Sequence, residues 1–126
     1  KGKDTRLEKR LFAMLAGMKV KGWRKNANDI LGKPDVTFLQ ERVAIFIDGC
    51  FWHGCPICDR KLPQTNQEYW ARKIKRNVEL AQIYNHKLTD NGWIVIRIWE
   101  HEVNDREAMQ KIRATVRQAL NKEQNR

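Results

Sequence analysis

The sequence predicts an α/β fold, a mixed sheet flanked by helices. Three observations predict it: apolar stripes at helical spacing near both ends and in the middle, short β-rich runs after the first stripe, and one almost wholly apolar run late in the chain. Thr5 to Glu8 reads as a capping box opening a helix whose apolar residues Leu7, Leu11, Met14, Leu15 and Met18 share one face, with its end expected before Gly22. Asp35 to Gln40 and Val43 to Ile47 are β-rich runs separated by Glu41-Arg42, and Val20 to Trp23 offers an edge strand, together an antiparallel meander. Residues 49–65 form a Cys-rich loop ending in Leu62-Pro63-Gln64-Thr65, where proline and a small polar residue suit the start of a helix. From about Asn66 to Leu88, Trp70, Ile74, Ala81, Tyr84 and Leu88 form a stripe beside the basic flank Arg72, Lys73, Lys75, Arg76 and Lys87, and Asn91-Gly92 stops the helix. Trp93 to Trp99 is apolar enough for a buried strand, expected at the sheet centre. Asn104 and Glu107 repeat the capping-box pattern before a terminal helix carrying Ala108, Ile112, Val116 and Leu120. The order αβββαβα is shared by many folds and does not by itself give a function.

The 126 residues are expected to form one domain, 1–126, and because the chain opens on Lys1 and not Met an N-terminally trimmed chain is expected. With 25 Lys and Arg against 15 Asp and Glu, the net charge of +10 favours an anionic polymer as partner, the plain alternative being a merely basic soluble protein. No run approaches the roughly 20 apolar residues of a membrane span and no secretory signal is evident, so no membrane association and a cytoplasmic, DNA-accessible location are expected.

Cys50, Cys55 and Cys58 fall within nine residues, an odd number that argues against a disulfide framework. Their C-x4-C-x2-C spacing ends in the tight C-x2-C hook that thiolate ligands of tetrahedral zinc often use. A fourth ligand is then needed from His53, His86 or His101, and His101 is preferred because it directly follows the apolar strand. A closed Cys3His set leaves no open position, so Zn2+ there would be structural. The alternative is three buried or unpaired thiols.

Asp35 opens one strand and Asp48 closes the next, so an antiparallel pair brings them near each other, where a hard cation could be held. Acidic residues at strand ends are also common turn formers. His53, two residues beyond Phe51-Trp52, is the histidine best placed to exchange a proton, zinc ligation being its rival role. The capping box accounts for Glu8 structurally.

The run Val43-Ala-Ile-Phe-Ile-Asp-Gly-Cys-Phe-Trp-His-Gly-Cys-Pro56 closely resembles the signature of the very-short-patch-repair (Vsr) endonucleases, a branch of the PD-(D/E)xK nuclease superfamily. Supporting matches are Gly2-Lys-Asp-Thr5, Gly32-Lys-Pro-Asp35, Leu62 to Trp70, Lys73 to Val78, and Gly92 to His101, so the similarity spans about residues 2–103. It implies a three-layer, restriction-endonuclease-like αβββαβ core with a structural zinc loop and a C-terminal helix. The resemblance further implies Mg2+ at Asp35 and at the backbone carbonyl of Ile47, His53 as general acid/base, and Glu8 ordering metal-bound water. Cys50, Cys55, Cys58 and His101 match the family's zinc ligands. Phe51, Trp52 and Trp70 match aromatics wedged beside a mispair, their bland alternative being core packing. Lys73, Lys75, Arg76 and Asn77 are read as DNA contacts.

Two departures stand out. Asp48 occupies a position where some members have histidine, and Ala81 one where the family usually has an aspartate that helps hold metal-bound water. The expected function is a Mg2+-dependent endonuclease nicking one strand of double-stranded DNA beside a T:G-type mismatch, a monomer associated with the bacterial nucleoid. The alternatives are the catalytic domain of a homing or other site-specific endonuclease, and a non-catalytic zinc-stabilised DNA-binding module.

Overall fold

A computed structural model describes residues 5–124. Of the Gly2-to-Thr5 match, residues 2–4 lie outside the described residues. The elements are α1 (Thr5–Met18), β1 (Trp23–Lys25), β2 (Val36–Phe38), β3 (Val43–Asp48), α2 (Gln67–Asp90), β4 (Ile94–Trp99), α3 (Glu100–Val103) and α4 (Arg106–Gln124). The strands lie in the order β1-β2-β3-β4, antiparallel through β3 and parallel between β3 and β4. This is the mixed sheet expected of the sequence. Parallel neighbours need a crossover of about a dozen residues or more, which α2 supplies.

Side chains alternate between the faces of a strand. Val36, Ile45 and Ile96 stand in register, and with Phe38, Val43 and Ile98 they are buried against Leu7, Leu11, Leu15 and Met18 of α1 and Val116, Ala119 and Leu120 of α4. On the opposite face Ala44 and Phe46 pack with Leu88 of α2, flanked by Ile30, Trp93 and Val95. The sheet therefore has a large apolar cluster on one side and a much smaller one on the other. Asp48 and Arg97 share the side of Ala44, Phe46 and Val95, so polar groups emerge where α2 leaves the end of β3 uncovered.

Several expectations need correction. β4 lies at the margin of the sheet, not its centre. Its run is apolar because both faces are partly covered, Ile96 and Ile98 by the large cluster and Val95 by the small one. The first strand begins only at Trp23, after left-handed turns at Lys19 and Gly22, and Trp23 stacks on Phe12 of α1. Thr5 already lies within α1, so it does not cap the helix, and Glu8 is buried. α4 is capped by Asp105, whose Oδ2 accepts the Ala108 N–H at 2.8 Å, because Asn104 ends α3 and its Oδ1 accepts from Arg10. α2 has Leu88 as its one buried residue, the rest of its stripe being half-buried.

Candidate active cleft and metal centre

Beyond Asp48 the chain leaves the sheet at Gly49 and doubles back through Cys50 to Cys58, closed by the Cys55 N–H to Cys50 carbonyl bond and the Asp59 N–H to Cys55 carbonyl bond. Gly54, at φ +61°, lets this loop seat on α2, where a Cβ would lie 3.2 Å from Ile74 Cγ2. Asn77 Nδ2 fastens the loop by donating to the Trp52 carbonyl at 3.0 Å.

The structure gathers Cys50, Cys55, Cys58 and His101, all four ligand atoms lying within 4.8 Å of one another. The three sulfurs stand 3.3, 3.7 and 3.5 Å from His101 Nδ1. Tetrahedral zinc, with Zn–S of about 2.3 Å and Zn–N of about 2.05 Å, separates sulfur from nitrogen by about 3.6 Å, so the donor set fits that ion. His86 is exposed on α2, and neither it nor His53 belongs to the cluster.

The position of His101 follows from the ladder. β3 and β4 pair residues 51 apart, from Val43↔Ile94 to Asp48↔Trp99, and Cys50 and His101 are also 51 apart. The cluster continues the parallel register two positions past its last rung. Glu100 supports it, its Oε1 accepting the Cys50 N–H while Oε2 lies 3.5 Å from Arg60. Burial pushes the metal-free Cys50 thiol up to about 12, the His101 backbone pulling it down and the other two cysteines adding to the rise. A cation in their midst favours the thiolates.

Beside the loop is a cleft of about 350 Å³, walled by Phe46, Ile47, Asp48 and Arg97 from the sheet, Lys33 and Asp35 from the segment before β2, Trp52 and His53 from the loop, and the α2 face of Lys73, Asn77, Leu80, Ala81 and Tyr84. Asp35 is buried just before β2, and its Oδ2 accepts the Ile47 N–H at 2.7 Å. Its carboxylate is thus held against the Ile47 peptide. Asp48 Oδ1 accepts from Arg97 Nη1 at 2.8 Å and lies 3.8 Å from His53 Nε2, too far for a direct hydrogen bond. His53 Nδ1 is buried with no hydrogen-bond partner among the described residues. Burial lowers the His53 pKa below its ordinary value, opposed by the charge of Asp48 and reinforced by Arg97, so the ring is neutral near pH 7 and able to accept a proton.

Of the sequence-predicted residues, Asp35, Ile47, Asp48, Trp52, His53, Lys73 and Asn77 meet in this cleft, while Glu8 is not among its walls. Lys75 and Arg76 are exposed on α2 outside it. Phe51, Trp52 and Trp70 form a half-buried cluster with ring centroids 5.3 to 5.8 Å apart, and the exposed Tyr69 packs on Trp70.

Arg97 carries only a weak signal in the sequence. The available signal was a single cation inside an otherwise apolar strand, in step with Val95 and Trp99 and so on one face with them. Lys33, of the Gly32-Lys-Pro-Asp35 run, also stands in the cleft wall, at φ +54°.

The family described as DNA mismatch endonuclease Vsr matches residues 1–59. The chain is 54% identical over 70 residues to the type II nicking enzyme V.NaeI of Lentzea aerocolonigenes, a match covering 56% of this chain and 42% of that one. It is 37% identical over 131 residues to the type II nicking enzyme V.NmeDIP of Neisseria meningitidis serogroup C, covering 100% and 88% of the two chains. With the DNA mismatch endonuclease Vsr of Escherichia coli (strain K12) it shares 36% identity over 107 residues, 85% of this chain and 68% of that one.

Proposed function

The chain belongs to the Vsr family of DNA mismatch endonucleases, and we propose that it nicks one strand of double-stranded DNA beside a T:G-type mispair, with Mg2+ in the cleft and Zn2+ in the Cys3His cluster. The observation that carries this reading is the meeting of Asp35, Ile47, Asp48 and His53 in one cleft with Lys33 and Lys73 on its walls. A carboxylate oxygen and a backbone carbonyl are the hard donors that magnesium takes, and Asp35 and Ile47 both line the cleft, the Ile47 N–H fixing Asp35 Oδ2. Mg2+ so held would neutralise charge on the scissile phosphate and make a water more acidic.

The chain's own residues supply the rest. Lys33 and Lys73 hold the phosphate at the cleft, while Lys75 and Arg76, exposed along α2, contact the backbone farther out and give position without sequence information. Asn77 acts through the loop that it fixes. His53 exchanges a proton at Nε2 with the attacking water or the leaving oxygen. Glu8, buried in α1, is assigned a supporting role toward water at the metal. The enzyme acts as one domain, as a monomer, on nucleoid DNA in the cytoplasm.

Incubating end-labelled duplexes, one matched and one with a single T:G mispair, with protein and magnesium tests the reading on a denaturing gel. Nicking of the mispaired duplex alone is expected. Equal cutting of both would favour a general or homing nuclease, and no cutting a binding module.

Phe51, Trp52 and Trp70 supply the ring faces for stacking beside an opened base step. Base–aromatic stacking is worth about 1–3 kcal/mol. Trp52→Ala should therefore narrow the affinity gap between mispaired and matched duplex by roughly tenfold, measured by competition binding. An unchanged gap together with a lower melting temperature would assign the ring to packing instead.

A further inference from the structure

We propose that Arg97 is a positioning residue for strand nicking: fixed by Asn85 and Phe46, it holds the Asp48 carboxylate opposite His53, so that Asp48 and His53 together grip the attacking water. This rests on the nuclease reading above and chooses between the two oxygens, attacking and leaving, that His53 could serve.

Register explains why the guanidinium lies where it does. Arg97 stands opposite Phe46 in the parallel ladder, and its guanidinium lies 4.0 Å from the centre of that ring. Its Nε donates to Asn85 Oδ1 at 2.8 Å and its Nη1 to Asp48 Oδ1 at 2.8 Å. Asn85 lies one helical turn beyond Ala81, a residue of the cleft wall, so the amide comes from that side of α2. A guanidinium can only donate, which assigns the amide oxygen of Asn85 to the contact. Ring, amide and carboxylate hold Arg97 from three sides and leave its side chain 18% exposed. A planar, always-charged fork gripped in this way fixes the direction of the carboxylate it meets as well as offsetting its charge.

Asp48 needs such a partner. Its side chain is 9% exposed in a cleft that also holds Asp35, and a carboxylate so buried is stable only when paired or hydrogen-bonded. The oxygen that Arg97 takes, Oδ1, is the one 3.8 Å from His53 Nε2. That separation is too long for a bond between them, yet one oxygen atom can lie within about 2.8 Å of both. Oδ1 has a second lone pair to offer it, and Oδ2 stays outside the ion pair. An anionic carboxylate accepts a hydrogen bond from water but repels a leaving oxyanion, so the oxygen between the two groups is that of the attacking water. Asp48 holds one of its hydrogens and Nε2 takes the other. The water's lone pair then forms the bond to phosphorus and the bond to the leaving strand oxygen breaks, that oxygen taking a proton from solvent and His53 later returning its own.

Single-turnover nicking of the T:G-mispaired duplex by the zinc-loaded protein at saturating Mg2+ measures the effect, with duplex affinity by gel shift in Ca2+ and melting temperature beside it. Displacing a reacting group by about 1 Å costs about 100-fold, so Arg97→Met should nick about 100-fold more slowly while its affinity stays within about twofold. Added to Asp48→Ala, Arg97→Met should slow nicking by less than about twofold more, because nothing is left for it to position. The same 100-fold penalty should persist on a duplex with sulfur bridging at the leaving position, whose thiolate departs without a proton.

Penalties of Arg97→Met and Asp48→Ala that multiply, or a loss of affinity as large as the loss of rate, would make Arg97 a phosphate contact and overturn the proposal. A penalty that disappears on the sulfur-bridged duplex would place Asp48 and Arg97 at the leaving oxygen and overturn it too. If Arg97→Met does not fold, Asn85→Ala decides: about fivefold slower nicking is expected, absent in the Asp48→Ala background, and an unchanged rate overturns the proposal. A wild type that nicks no duplex removes the nuclease reading together with this inference, whereas nicking that Arg97→Met leaves untouched removes this inference only.

Discussion

Asp35→Asn should reduce nicking about a thousandfold or more while leaving the fold and duplex binding nearly intact. A metal ion contributes several kcal/mol to stabilising charge at a reacting phosphate, and each 1.36 kcal/mol is a factor of ten in rate, so loss of an anionic anchor should remove about three orders of magnitude. The fold should survive because asparagine has nearly the same size and shape as aspartate. Asp35 Oδ2 accepts the Ile47 N–H, and an asparagine Oδ1 can accept the same bond. Single-turnover nicking, melting temperature and gel-shift affinity with Ca2+ in place of Mg2+ would be compared. A variant that nicks within tenfold of the wild type would remove Asp35 from the metal site.

Loss of the proposed zinc site should have the other large effect, acting on stability and chemistry together. Cys58→Ala takes one of four ligands, and the protein as purified should then hold little zinc where the wild type holds about one ion per chain. Structural zinc sites in small peptides contribute apparent binding energies of about 10–16 kcal/mol at pH 7. Only the loop and its neighbours depend on the ion here, so a loss of about 3 kcal/mol is expected, or roughly 10 °C in melting temperature for a chain of this size. Nicking should fall as well, because His53 lies between two ligands on a loop that otherwise rests on α2 through Asn77 and close packing at Gly54. Zinc content and scanning calorimetry, with and without a chelator, measure the first effect. A zinc-free variant melting at the wild-type temperature would show that the loop holds itself.

Much of the candidate site was legible because its signals are local. Cys55 and Cys58 sit at a spacing that follows from a tight turn, and Asp35 and Asp48 stand out because they fall at the ends of β-rich runs. His101 could be favoured since it directly follows an apolar run, although only the strand register shows why it faces Cys50. The element order was readable from periodicity. What escaped was set by tertiary placement. An apolar strand looks central in sequence, yet β4 is marginal, its apolar character coming from helices on both sides. The Asn104–Glu107 pattern suggested a cap, but α3, only four residues long, ends on Asn104 and leaves the capping to Asp105. Arg97 was hidden because its partners Asp48, Asn85 and Phe46 come from two other elements.

The constant offset of 51 between β3 and β4, extended by Cys50 and His101, also bears on how the chain reaches its native state. Local helices form in about a microsecond, but pairings between distant residues must first meet the entropy of closing the intervening loop. Every rung of the parallel ladder and the cluster at its end share one such closure. Cross-linking a loop of that length lowers the entropy of the open chain by an amount on the order of 4 kcal/mol, on the scale used for disulfides. An ion that engages only once the ladder is closed acts after the rate-limiting encounter, so it slows escape from the native state far more than it speeds arrival.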